Sequence, residues 1–284
     1  MFSEDFLWSN GRNRTFAECL RKYYYQYYAS FDSDNGECVF RLKKLQNRFE
    51  MRSKILKSVI TSVLNDLKAG ENFTKEHYIS EAVKSFKSAA NDYVETYEKY
   101  YGLSKKIDYL EFFFETGMLI ENFFCSDYYN LLLNKNYNCF YFPSESPNID
   151  FIAIAGKRVY GFPDLIYMDN SETLIFDWVC VKPVETNDST ISDSGKIKAA
   201  IAYLFAEKNY FIQSISGVKY YSCNLYKKKY FEIPLTKKNI EEAKKNVKLS
   251  ISKMTIAASA DVSGFPKTLQ KSKCRFCNFK ELCS

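Results

Sequence analysis

The sequence has no apolar run of the roughly 18 residues that a membrane-spanning helix needs, and it has no internal repeats and no low-complexity linker. Its first residues, MFSEDFLWSNGRNR, include acidic side chains and lack the apolar segment of a secretory signal. These absences argue against a membrane protein, a secreted protein and a repeat architecture. We therefore expect a cytoplasmic protein without membrane partners.

Charge is only mildly biased, because 40 basic residues stand against 34 acidic ones and give a net charge of +6. This balance excludes a histone-like polycation but permits nucleic-acid binding. Hydrophobic residues make up 46% of the 284 residues, enough for a globular protein with a sizeable core. The length suits one large α/β domain or a core domain with a helical insertion.

The hydrophobic periodicity changes from helical to strand-like near Tyr137. Helical spacing predicts helices over about 39–69, 74–101 and 106–134. The segments that follow read as strands: NCFYF, DFIAIAG, KRVYGFPDLIYMD and ETLIFDWVCVK. A helix over 192–209, the strand pair VKYYSCNLY and KKKYFEIPL, and a long helix over 236–257 complete the pattern.

This order of elements predicts an α/β fold in one domain spanning 1–284. Its parts are a helical region over 39–135, an α/β core over 137–235, and a C-terminal helix and tail over 236–284.

Two aspartates fall on neighbouring predicted strands. Asp164 lies in GFPDLIYMD, and Asp177 opens the stretch DWVCVKP near the end of an apolar strand. Carboxylates on adjacent strands suit a hard divalent cation such as Mg²⁺ or Mn²⁺. The alternative is that both aspartates are structural groups satisfied by neighbouring side chains.

Four of the nine cysteines form a pattern typical of metal binding in a reducing compartment. Cys274 and Cys277 have C-x2-C spacing and Cys283 follows, so three thiolates can converge on one centre that needs about four. Cys19 in ECLRKYYYQYY is the best candidate for the fourth ligand. Spacing alone does not separate zinc from iron–sulfur, and a chance clustering is the third alternative. The other five are expected to act as small hydrophobic residues: Cys38, Cys125, Cys139, Cys180 and Cys223.

The stretch WSNGRNRTFAECLRKYYYQYY, the tail KSKCRFCNFKELCS and the two acidic strands together resemble one family. This is the RecB-like, AddB-type group of PD-(D/E)XK nucleases that carry an iron–sulfur cluster, related to CRISPR-adaptation nucleases. The resemblance covers nearly the whole chain. It implies a restriction-endonuclease-like core, a mixed sheet flanked by helices, preceded by an N-terminal helical region.

The resemblance also implies two metal sites. A 4Fe-4S cluster would be held by Cys19, Cys274, Cys277 and Cys283, and it would join the tail to the segment 15–28; Leu20 replaces the family's usual proline. At the second site, the acids that match Asp164 and Asp177 would bind Mg²⁺ or Mn²⁺ for DNA cleavage.

This second site departs from the family pattern at three positions. Val179 replaces the lysine that stands two residues after the second acid and shares its face of the strand. Lys57, in SKILK, replaces the metal-binding histidine, since the single histidine, His77, falls outside that motif and is expected on a helix surface. Ala199 replaces the glutamine of Q-x-x-x-Y, although Tyr203 of that motif is retained. Lys57 is expected to pair with one of the aspartates where the cation would have been.

Two functions from different classes follow. The first is a catalytically degenerate nuclease-fold protein, a DNA-binding or scaffolding subunit of a multi-subunit DNA-processing or antiviral defence complex. The second is an active Mg²⁺-dependent DNA nuclease in which Lys182, Lys198 or Lys57 replaces the missing lysine. Tyr203 and Lys198 are the expected binding residues near the centre. The aromatic run Tyr23 to Tyr28 is expected mostly in the core rather than as a stacking platform.

Overall fold

Sheets of mixed strand direction are flanked by helices in the computed structural model, so the protein has a mixed α/β fold, as expected. The structure describes residues 6–29, 36–91, 96–103, 109–143, 151–182, 192–210, 212, 214–257 and 262–283. Pro183 of DWVCVKP lies outside them. Within this part of the chain, no helix combines the length and apolar character needed to cross a bilayer.

Helices form most of the described structure. They are α1 (Asn10–Glu18), α2 (Leu20–Tyr27), α3 (Gly36–Lys44), α4 (Arg48–Ala69), α5 (Lys75–Asn91), α6 (Tyr97–Tyr100), α7 (Tyr109–Phe124), α8 (Asp127–Leu133), α9 (Asp193–Tyr210), α10 (Lys237–Ala257) and α11 (Lys271–Cys274).

The strands lie in two sheets. They are β1 (Leu7–Trp8), β2 (Phe140–Tyr141), β3 (Ile152–Ile154), β4 (Lys157–Val159), β5 (Leu165–Met168), β6 (Thr173–Val179), β7 (Val218–Asn224) and β8 (Lys229–Ile233). The larger sheet has the order β2-β5-β6-β7-β8, and the smaller sheet has the order β1-β4-β3. In the larger sheet β6 and β7 are parallel and the other pairs are antiparallel. The helix α9 lies between β6 and β7 in the chain, as a parallel connection requires.

Side-chain alternation along β6 separates two cores. Leu174, Phe176 and Trp178 pack with buried residues of α4, α5, α7 and α8. Ile175, on the opposite face, packs with buried residues of α9 and α10. By the same alternation Asp177 points toward the α9 face. The sheet therefore places the acidic position between a helical layer and the crossover helix.

Several predicted helices and strands are interrupted, and local side-chain chemistry explains where. The predicted helix 39–69 ends and restarts because Asn47 caps α4 in a reciprocal capping box with Glu50. The predicted helix 106–134 is divided in the same way by Ser126, which caps α8. The predicted strand 157–169 was wrong as a single element, since GFPD separates β4 from β5.

The two ends of the described chain contact each other directly. The backbone N–H of Arg21 donates to the carbonyl of Pro266 at 3.2 Å, and the Tyr25 hydroxyl donates to the carbonyl of Leu282 at 3.0 Å. In the aromatic run of α2, Tyr23 and Tyr25 are buried, and Tyr24, Tyr27 and Tyr28 are half-buried. The run thus lies mostly in the core, as the helical periodicity indicates.

Gly161, three residues before Asp164, lets this segment pass close to α9. A Cβ at position 161 would lie 2.0 Å from Cγ2 and 3.1 Å from Cβ of Ile201. We predict that Gly161→Ala lowers the free energy of unfolding by about 1–3 kcal/mol through overpacking. Gly117→Ala, in α7, is the matched control, because its Cβ would be 3.4 Å from Ile79 and helix propensity favours alanine. Urea unfolding measures both, and equal stability of the two variants would contradict the prediction.

Candidate functional site

Asp164 lies immediately before β5 and is held by three groups. Its N–H donates to the carbonyl of Phe176 at 3.0 Å, which extends the pairing of β5 with β6. Its carboxylate Oδ2 accepts the N–H of Trp178 at 2.7 Å. The Nζ of Lys57, from α4, lies 2.8 Å from Oδ1 and 2.6 Å from Oδ2. The pairing of Lys57 with an aspartate, expected from the sequence, is therefore present, and its partner is Asp164.

Asp177 is buried in β6 and is held by a different pair of side chains. Lys198 of α9 places its Nζ 2.8 Å from Oδ1. Tyr220 of β7 donates its hydroxyl to Oδ2. The side chain of Asp177 is only 3% exposed, whereas that of Lys198 is 38% exposed. Each of the two aspartates is thus paired with its own lysine.

The two carboxylates influence each other strongly. Burial raises the pKa of Asp164, and the negative charge of Asp177 raises it further, while Lys57 and then Lys198 act in the opposite direction. Burial alone would lower the pKa of Lys57, but Asp164 and Asp177 outweigh it and the pKa is raised. The ammonium group of Lys57 is therefore held in its charged form beside Asp164.

Val179 and Ala199, two of the three positions at which the sequence departs from the pattern it resembles, lie on β6 and α9. Val179 lies on the Asp177 face of β6, as strand alternation predicts, and is half-buried. Ala199 follows Lys198 on α9 and is fully buried, so a glutamine there would have to displace packed neighbours.

Two other expected site residues lie away from the aspartates. Tyr203 is buried and donates its hydroxyl to Glu207 at 2.7 Å. Lys182 is exposed beyond the end of β6 and, within the described part of the chain, pairs with neither aspartate.

The pairing of a buried arginine with a half-buried glutamate is not apparent from the sequence. Arg52 of α4 is 3% exposed and pairs with Glu115 of α7, and it also donates to the Tyr226 hydroxyl at 2.7 Å. Burial raises the pKa of Glu115, but hydrogen bonds from Arg52 and Tyr226 outweigh it, with a smaller contribution from Lys182, so the pKa is lowered. The burial of Arg52 could have been predicted from the apolar spacing of α4, which places this residue among core positions.

The four cysteines expected to bind metal lie in one region. Burial raises the pKa of Cys277, and Cys283 and Cys19 add to it. Burial also raises the pKa of Cys283, with further contributions from Cys19 and Cys274. Cys19 lies between α1 and α2, where its Sγ accepts the N–H of Lys22 at 3.4 Å.

These thiols match the expected ligand set in residue type. Among the residues that the structure describes, no three thiol, carboxylate or imidazole groups converge closely enough to hold an ion. Of the five remaining cysteines, Cys180 and Cys223 are buried as expected of small hydrophobic residues, whereas Cys125 is exposed. The single histidine, His77, is exposed on α5, where it stacks on Phe73.

No protein-family model matches this chain, and a search of curated proteins found no match.

The Lys57–Asp164 pair allows a direct test of its coupling energy. We predict that Lys57→Met lowers the free energy of unfolding, because it leaves Asp164 beside Asp177 without its neutralising partner. Adding Asp164→Asn should recover part of the loss. Since 37% of the Lys57 side chain is exposed, the coupling should fall in the lower half of the 0.5–3 kcal/mol range, roughly 0.5–1.5 kcal/mol.

A surface pair of similar distance provides the control for this cycle. Lys84 and Glu81 are 2.9 Å apart, but their side chains are 69% and 48% exposed. The corresponding Lys84→Met and Glu81→Gln cycle should give at most about 0.5 kcal/mol. Urea unfolding of all variants measures both couplings, and strict additivity at the Lys57–Asp164 pair would show that the contact does not stabilise the centre.

Proposed function

We propose that this protein is a catalytically degenerate PD-(D/E)XK nuclease-fold protein, a DNA-binding or scaffolding subunit of a DNA-processing or antiviral defence complex. Its centre retains two acids but replaces the divalent cation by two ammonium groups. The protein would bind DNA phosphates around the cleft without cutting them. A protein partner in a multi-subunit complex would supply the cutting or the signalling.

The observation that carries this proposal is the placement of Lys57. Its Nζ lies within hydrogen-bond distance of both oxygens of Asp164, the acid that would otherwise bind Mg²⁺. Lys198 similarly contacts Asp177. An ammonium group can neutralise a carboxylate, but it lacks the Lewis acidity that activates water for attack on a phosphodiester. The loss of the lysine at Val179 removes a second element of such chemistry.

The strand order supports the nuclease-fold part of the proposal. The strand β5 pairs antiparallel with both β2 and β6. The helix α9 then crosses over, and β7 pairs parallel with β6. This gives a mixed sheet flanked by helices with both acids at neighbouring strands, which is the arrangement that the family resemblance implies. The alignment of GFPD with Asp164 and of FDW with Asp177 agrees with this order.

The second candidate, an active nuclease, is favoured by one observation. Lys198 reaches Asp177 from α9 at 2.8 Å and is partly exposed, so it could take the role of the lysine missing at Val179. In that case Lys57 would have to leave Asp164 when Mg²⁺ binds. Lys182 is less suited to this role because it lies on the side of Glu115.

We predict no Mg²⁺- or Mn²⁺-dependent cleavage of single-stranded or double-stranded DNA above background. Loss of one transition-state stabiliser costs about 10²- to 10³-fold in rate, so three altered positions leave little activity even when their effects are not additive. Val179→Lys alone should not restore turnover, because Lys57 still occupies the place of the cation. Asp164→Ala should alter stability or DNA binding rather than cleavage.

Asp177→Ala is the control for contaminating nucleases, since its preparation should cut DNA no less than the unmodified protein. Robust metal-dependent cutting that Asp177→Ala abolishes would refute the proposal and favour the second candidate. A readout independent of activity is thermal unfolding with and without millimolar Mg²⁺. The unmodified protein should show no metal-dependent rise in Tm, whereas Lys57→Ala combined with Lys198→Ala should show one.

We also propose that Cys19, Cys274, Cys277 and Cys283 hold a 4Fe-4S cluster, with zinc as the alternative metal. The support is the proximity of the four thiols and the direct contacts between α2 and the tail. A cluster bound from both ends of the chain would stabilise the fold by closing a very long loop.

The protein purified without oxygen should therefore be brown and contain iron. Cys19→Ser should reduce the iron content and lower the Tm, because the link between α2 and the tail is lost. Cys125→Ser is the matched control, since Cys125 is exposed and lies outside the four-thiol region. Stoichiometric zinc in place of iron after anaerobic preparation would contradict the proposed 4Fe-4S cluster, but it would agree with these four cysteines as metal ligands. Absence of any metal would overturn both.

A further inference from the structure

Two exposed phenylalanine rings from distant parts of the sequence meet on the surface. Phe49 lies in the first turn of α4, and Phe276 lies between Cys274 and Cys277 in the tail. Their ring centroids are 6.4 Å apart in an edge-to-face arrangement, and the residues are 38% and 42% exposed. Large aromatic residues are usually buried, so a pair that remains exposed indicates an interaction surface.

Buried aromatic side chains support both rings from below. Phe49 packs edge-to-face on Phe112 with a centroid distance of 6.2 Å, and Phe276 packs on Tyr97 at 6.1 Å. Phe112 and Tyr97 are themselves buried. The hydroxyl of Tyr97 also donates to the carbonyl of Arg275 at 2.7 Å, which fixes the backbone beside Phe276. The rings are thus held in place before any ligand binds, which reduces the entropic cost of stacking.

Each ring is accompanied by a guanidinium group. The Arg48 guanidinium carbon lies 4.4 Å from the centroid of Phe49, and that of Arg275 lies 5.4 Å from the centroid of Phe276. Arg48 is positioned by buried Glu98 at 3.3 Å, and Arg275 is exposed. Over residues 265–283 five basic side chains stand against one acidic side chain, so this part of the surface favours an anionic ligand.

Two acidic groups associated with the Phe49 end of this surface already have partners. Glu50 accepts the N–H of Asn47 at 3.2 Å in the cap of α4, and Glu98 accepts from the backbone and side chain of Arg48. They therefore oppose an incoming phosphate less than free carboxylates would.

The ring of Phe49 and the lysine of the lysine–aspartate centre belong to the same helix, α4. Arg52 lies 5.6 Å from the Phe49 centroid, and it acts electrostatically on buried Cys180 together with Lys57 and Asp164. Lys57 follows Phe49 by eight residues, or about 12 Å along the helix axis. At roughly 3.4 Å per nucleotide of a stacked strand, this distance corresponds to about three nucleotides.

We propose that Phe49, Phe276, Arg48 and Arg275 form a binding surface for single-stranded nucleic acid. Bases would stack on the two rings, and the arginines would contact the adjacent phosphates. This inference rests on the proposed DNA-binding function and specifies the form of nucleic acid and the residues that receive it. In a duplex the base faces are stacked on one another, so only an unpaired strand offers them to protein rings.

A third exposed phenylalanine ring, that of Phe114, lies beside an acidic rather than a basic side chain. Phe114 on α7 is 78% exposed, more than either ring of the surface. Glu111 lies one turn before it on the same helix, and its carboxylate would repel phosphate. Phe114→Ala is therefore a matched control that removes an equally large exposed ring from an acidic region.

The test measures binding of fluorescently labelled oligo(dT) by anisotropy, using the full chain. Phe49→Ala and Phe276→Ala should each weaken binding about 5- to 150-fold, which corresponds to the 1–3 kcal/mol of one stacked base. Phe114→Ala should leave the affinity unchanged. An abasic strand of the same length should bind the unmodified protein and both variants equally, because it retains the phosphates and lacks the bases.

Oligo(U) should bind with the same affinity as oligo(dT), since stacking does not require a particular sugar. If the two affinities differ, the surface prefers the nucleic acid that binds more tightly.

A conservative variant tests whether weaker binding of Phe276→Ala reflects loss of the ring or misfolding. Phe276→Trp should retain binding, and its added fluorescence should be quenched by oligo(dT), whereas the native Trp8 and Trp178 are buried. Unchanged affinity of Phe49→Ala and Phe276→Ala, or a preference for duplex, would overturn this inference. If Lys57→Met and Lys198→Met nevertheless weaken binding in the same assay, the proposed DNA-binding function survives. Absence of binding to every nucleic acid would overturn the inference and the DNA-binding function, and would leave the scaffolding role.

Discussion

The contact between Lys57 and Asp164 determines the geometry of the centre. It joins α4 of the helical layer to the beginning of β5, and the same carboxylate accepts the N–H of Trp178 in β6. A helix and two consecutive strands that lie about 100 residues further along the chain therefore meet at one side chain. Burial and the charge of Asp177 both disfavour ionised Asp164, so a cation at this place is a physical requirement if both acids are to remain charged.

A second ion pair, Lys198–Asp177, neutralises the other carboxylate. Its lysine comes from α9, which packs on the face of the sheet opposite to α4. Lys198, on the crossover helix, contacts Asp177, and Tyr220 on β7 donates to the remaining oxygen. Two ammonium groups thus balance two carboxylates. They reproduce the charge of a divalent cation, but no group in these pairs can bind a water and lower its pKa as a metal does. Neutralising the two carboxylates and activating a water molecule are therefore separate requirements, and these ion pairs meet only the first.

The family resemblance directed attention to the two acids and to Lys57, and the structure shows Lys57 in contact with Asp164. The resemblance also pointed to Val179, since alternation places residues 177 and 179 on one face. The partners of Asp177 were harder to assign, because Tyr220 and Lys198 reach it only after α9 crosses over and β7 pairs with β6. The helix interruptions depend on single caps such as Asn47, which a periodic apolar pattern does not reveal. The apolar spacing of α4 places Arg52 among core positions, but it does not identify Glu115 of α7 as its partner.

These contacts give both carboxylates a structural role that does not depend on catalysis. Removing Asp177 would leave the buried hydroxyl of Tyr220 without its acceptor, a cost of about 1–3 kcal/mol. Removing Asp164 would free the N–H of Trp178 and separate Lys57 from its partner. Both acids therefore have structural reasons to remain, and their presence alone is weak support for hydrolysis. The positions that distinguish a cutting centre from a binding one are the neighbours of the acids, namely Lys57, Val179 and Lys198. Their identity decides whether a cation with open coordination positions or a closed ion pair occupies the space between the strands.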